Sequence, residues 1–94
     1  MGKWTKIVIE KSEPRTAKQT AEELINRLLA EIQRKGSIEG VEAYMLQGHS
    51  ACYVYWLSPM ATALLRGADA FRLPEDTVTL DARPDLAGFT RIPL

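Results

Sequence analysis

Two hydrophobic periods divide the chain. From Trp4 to Glu10 the apolar residues alternate: Ile7 and Ile9 share a side with Thr5, while Trp4 and Val8 share the other with Lys6. A period of two in a β-branched run predicts a strand. Ser12, Glu13 and Pro14 end it, because the residue before proline avoids helical torsions. From Ala17 to Lys35 the period lengthens, and Ala17, Ala21, Leu24, Ile25, Leu28, Leu29 and Ile32 form one stripe at three- and four-residue spacing. A helix is predicted there, capped by Thr16 with Gln19 or by Thr20 with Glu23. Arg34, Lys35 and Gly36 close it.

Alternation returns at Val41–Gln47, where Val41, Ala43 and Met45 oppose Glu42, Tyr44 and Leu46. Gly48, His49 and Ser50 form a turn, and Ala51–Leu57 is the most β-prone segment present, so the two runs predict a hairpin. Ser58 followed by Pro59 is an N-cap with proline in the first turn, opening a short helix that Gly67 can end. Thr77–Asp81 predicts a further strand and Gly88–Pro93 an edge strand, where Pro93 is tolerated.

The order strand, helix, strand, strand, helix, strand, plus a C-terminal edge strand, predicts a single α+β domain over 1–94. Its expected architecture is a small antiparallel sheet with two helices on one face, the ferredoxin-like split βαβ plan. Trp56, sharing a side with Cys52 and Val54, is expected under the long helix. Tyr53 and Tyr55 are then left on the opposite side, beside Tyr44.

Composition narrows the function classes. Apolar residues make up 46% of the chain and charged residues 26%, ordinary globular values. Twelve basic residues balance twelve acidic ones, split eight and seven up to Gln47 and four and five beyond it. Neither half carries the basic field that phosphate backbones require, so nucleic acid is not an expected partner. One cysteine and one histidine exclude an internal disulfide and any cysteine- or histidine-rich metal centre, and no cofactor is expected. Lys3, Lys6 and Lys11 interrupt any signal-peptide core, and no apolar run has the length of a membrane span. A cytoplasmic location without membrane contact is expected.

Few side chains could carry chemistry. His49 with Ser50 or Cys52 could form a nucleophile–base pair only if the turn aims them together, and an exposed His49 beside an inert buried Cys52 is the simpler expectation. Tyr53, Val54, Tyr55 and Trp56 lack the basic residue, glycine and first aromatic of RNA-binding sheet motifs. Asp69, Glu75, Asp76, Asp81 and Asp85 lack calcium-loop spacing.

Two functional expectations result. The first is a non-catalytic interaction module, a regulator, inhibitor or dimerising adaptor, that binds a protein partner or a second copy through Tyr44, Tyr53, Tyr55 and His49. The second follows from length and element order, which resemble those of the dimeric α/β-barrel plaits, a group that includes small monooxygenases and isomerases. That resemblance implies a small enzyme or ligand binder with a helix–sheet pocket near His49.

Overall fold

A computed structural model describes residues 2–36, 38–67 and 77–94. Asp69, Glu75 and Asp76 lie outside the described residues. The elements run β1 (Trp4–Glu10), α1 (Pro14–Lys35), β2 (Ala43–His49), β3 (Cys52–Leu57), α2 (Pro59–Arg66), β4 (Val78–Leu80) and β5 (Thr90–Arg91). The strands form one antiparallel sheet in the order β4-β1-β3-β2-β5. The described residues thus form a small α+β structure of two helices and a five-stranded sheet. Among the described residues no helix is long and apolar enough to cross a membrane.

Helix α1 starts earlier than its apolar stripe. Pro14 occupies the first turn after Glu13, whose side chain makes no capping bond. The fixed φ of proline suits that position, and its missing N–H would have been unpaired there. The expected caps therefore fall inside the helix, and the Thr20 hydroxyl donates back to the Thr16 carbonyl at 2.9 Å. The helix ends at Gly36, whose φ of 86° lies in the region glycine tolerates best.

Both helices pack on one sheet face. Ala21, Leu24 and Leu28 of α1 and Ala61, Leu64 and Leu65 of α2 bury against Ile7, Ile9, Ala43, Tyr55 and Leu57. Glu31 is also buried on α1, and Arg34 compensates it by donating to both carboxylate oxygens at 2.9 and 3.2 Å. Ser58 fixes the passage from β3 into α2. Its buried hydroxyl accepts from the N–H groups of Ala61 and Glu42 and donates to the Gly40 carbonyl at 2.6 Å.

The alternation within β3 is as expected, but its faces are exchanged. Ile7 pairs with Tyr55 and Ile9 with Tyr53, so the tyrosines follow the isoleucines beneath the helices. Lys6 pairs with Trp56 and Tyr44 pairs with Trp56, which puts the indole and Tyr44 on the opposite face. The charges of β1 decide this. Lys6 and Glu10 share a face with Trp4 and Val8, and two charged groups cannot be buried cheaply under a helix. Trp56 is buried, as expected, though not under α1. With Trp4 and Tyr44 it forms a second small cluster that Leu86 and Phe89 cover.

Candidate functional site

The helix-free face is read off as rows running across the strands. Val78, Lys6, Trp56, Tyr44 and Arg91 make one row, Val8, Val54 and Leu46 the next, and Glu10, Cys52 and His49 the end row. Trp4 and Leu80 pair at the other end. Six large hydrophobic side chains are exposed among the described residues, and four of them, Val8, Leu46, Val78 and Leu80, lie on this face. Val8 is 53% exposed at the middle of its strand. Scattered surface leucines need no explanation, but four of the six lie on this one sheet face.

Part of the face is closed by the C-terminal segment, held by one arginine. Arg83 donates to the Tyr44 hydroxyl at 2.9 Å and to Glu42 at 3.2 Å, while Tyr44 donates to the same Glu42 oxygen at 2.6 Å. Its guanidinium also stands 5.1 Å from the Trp4 ring centroid and 5.4 Å from that of Tyr44. The hydrogen bond from Tyr44, reinforced by Arg83 and opposed by desolvation, holds the Glu42 carboxyl below its ordinary 4.5. In the next row Val8 and Leu46 are exposed and Val54 is half-buried.

The end row is assembled by a bulge. In strict alternation His49 would follow Met45 and Gln47 to the helix side. The register shifts between Gln47 and His49, so that His49 pairs directly with Cys52. Cys52 also pairs with Glu10 on its other side. One nitrogen, one sulfur and one carboxylate oxygen from three strands thereby lie within 4.8 Å of one another. His49 Nδ1 accepts from the Ala51 N–H at 3.2 Å, which leaves the ring proton on Nε2, 3.0 Å from Glu10 Oε2. Both side chains are exposed and Cys52 is half-buried. Ser50 stands in the exposed turn, outside this cluster.

The expected binding residues are therefore divided. Tyr44 and His49 belong to the helix-free face, whereas Tyr53 and Tyr55 line a separate groove of about 270 Å³ between α1 and the sheet. Lys18, Ala21, Glu22, Ile25, Asn26, Met45 and Ile92 complete its walls. His49 is not among them, so the helix–sheet pocket lacks the imidazole expected to serve it. Burial, aided by Tyr53 and Glu22, pushes the Tyr55 hydroxyl up to about 12. That phenol stays neutral near pH 7 and is no base there.

Val8, Leu46, Glu10 and Arg83 were not singled out by sequence reasoning. For the first three a signal existed: Glu10 and Val8 share the Lys6 side of β1, and Leu46 shares the Tyr44 side of β2. Nothing local marks Arg83, which lies 39 residues from Tyr44. Comparison of the chain with family models, curated proteins and solved structures finds no match.

Proposed function

We propose that the protein is a non-catalytic interaction module whose working surface is the helix-free sheet face, and that the face is occupied by a second copy of the chain. The observation that carries this is the gathering of Val8, Leu46, Val78 and Leu80 on one side of the sheet. Charge supports a second copy as occupant. Lys6 and Glu10 flank Val8 on the same face, so a copy laid antiparallel across the Val8–Val54–Leu46 row would set each lysine against a glutamate. A two-fold contact needs such self-complementarity. Hiding this surface would also help a chain of 94 residues, whose own core is small.

The finer architecture belongs to the same reading. The strand order β4-β1-β3-β2 with both helices packed on one side supports a ferredoxin-like plan, to which β5 adds an edge. A cytoplasmic setting is also part of it, since the free thiol of Cys52 suits a reducing compartment. The groove beside Tyr53 and Tyr55 would be the place for a ligand in the alternative, enzymatic reading, but His49 does not line it.

Sedimentation equilibrium tests the proposal. The chain should self-associate, and Val8→Glu should shift the equilibrium toward monomer by more than about tenfold, the effect of a central apolar anchor. Lys6→Glu should weaken association, and adding Glu10→Lys should restore it. A wild-type chain that stays monomeric at millimolar concentration, or one insensitive to all these changes, overturns the reading.

A further inference from the structure

We infer that Glu10, His49 and Cys52 form a surface site for a thiophilic divalent cation, with zinc as the best-matched ion. Three observations carry this. The donors are of three kinds, a carboxylate, an imidazole and a thiol, from three adjacent strands, and their ligand atoms all lie within 4.8 Å of one another. Tetrahedral zinc at ordinary bond lengths sets its ligands about 3.3–3.8 Å apart, so each exposed side chain need move only by about an ångström. The second observation is the bulge, which turns His49 onto the face of Cys52 and Glu10. The third is Gly48, where an added Cβ would stand 3.7 Å from the Cys52 sulfur. A Cβ at that distance would be in van der Waals contact with the sulfur, and glycine omits that contact.

Charge and softness select the ion. A thiolate and a carboxylate supply two negative donors, and with a neutral imidazole they balance a dication. The thiolate disfavours magnesium and calcium, which take oxygen ligands, and favours zinc. Three protein ligands leave a fourth position for water, the pattern of open zinc sites. Binding releases the Cys52 thiol proton to solvent. If Nε2 is the ligating nitrogen, the ring proton moves from Nε2 to Nδ1, and the 3.2 Å bond from the Ala51 N–H is given up in exchange for the metal bond. Without an ion, His49 and Glu10 form only an exposed pair of small energetic value. The site is complete within one chain, and it uses the same Glu10 carboxylate that the proposed association sets against Lys6 of a second copy, so the two uses compete.

Titration of the reduced full-length chain with Co²⁺, followed by displacement with Zn²⁺, tests the inference. One equivalent of Co²⁺ should bind, with thiolate-to-metal charge-transfer absorption and the intense visible bands of a four-coordinate ion. Cys52→Ser should abolish the charge-transfer band. Glu10→Gln and His49→Gln should each weaken binding by more than about tenfold, at least the effect of removing an outer-shell partner. Both positions are exposed, so circular dichroism should stay that of the wild type. Absence of saturable Co²⁺ binding, or binding through Cys52 that ignores both Glu10→Gln and His49→Gln, overturns the site.

Discussion

Lys6 and Trp56 are cross-strand partners on β1 and β3, so an ammonium and an indole share one side of the sheet. That side is the one the helices leave bare. The pairing fixes the orientation of β3: Trp56, Val54 and Cys52 face away from α1, while Tyr53, Tyr55 and Leu57 face it. The apolar row next to Lys6 then lies on the helix-free side.

Leu28 is fully buried at the centre of the α1 stripe. Leu28→Ala should cost about 2–5 kcal/mol, the range for buried leucine truncations. A urea melt measures this directly. A loss below about half a kcal/mol would remove α1 from the core.

Ser58 serves more than the helix it caps. Its hydroxyl joins Ala61, Glu42 and Gly40, so Ser58→Ala removes the cap and also strands polar groups at the start of β2. The expected cost is about 2 kcal/mol, at the upper end for caps. Ser58→Thr keeps the hydroxyl but adds a methyl group at a site only 1% exposed, so it should recover only part of that loss.

Acid should loosen the C-terminal segment. Glu42 has a folded-state pKa held below its ordinary 4.5. Its contribution to stability is therefore complete above 4.5 and is lost as pH falls through the lowered value. Tryptophan fluorescence, reporting Trp4 beside Arg83, should shift to the red in that window. Arg83→Met should shift it already at neutral pH, because it removes the hydrogen bonds to Tyr44 and Glu42 and the cation–π contacts.

Alkaline titration should single out one tyrosine. Tyr55 holds its proton up to about 12, against an ordinary 10.0. The folded chain thus binds that proton more tightly than the unfolded chain. The Tyr55 contribution is intact below 10 and falls away as pH climbs toward 12. Phenolate absorbance should show a late step that Tyr55→Phe deletes. A single transition near 10 for all tyrosines would place Tyr55 in water.

Most elements were legible because each rests on a local signal: the α1 stripe, the Ser58–Pro59 start, the alternation of β1. The orientation of β3 was not. CYVYWL is apolar on both sides, so a period of two separates its faces without saying which is inward. The answer lay in β1, where Ile7 and Ile9 oppose Lys6 and Glu10, and reached β3 only through the register. The cluster at the hairpin end was hidden for a related reason. Glu10 is 39 residues from His49, and a bulge, not the alternation, brings the imidazole across.

The strand order also bears on how the chain reaches this structure. Of the pairings to the central strand β3, only that with β2 is made by a tight hairpin. The other joins Leu57 to Thr5, far apart in sequence, and β1 must in turn receive β4. Closing such loops comes before any return in burial, so a chain with such non-local pairings folds more slowly than a helical bundle of its size. Until β1 arrives, the hairpin presents an unpaired edge and both of its apolar sides to solvent. The route to the native state is thus the interval in which this chain is most prone to pair with the wrong neighbour.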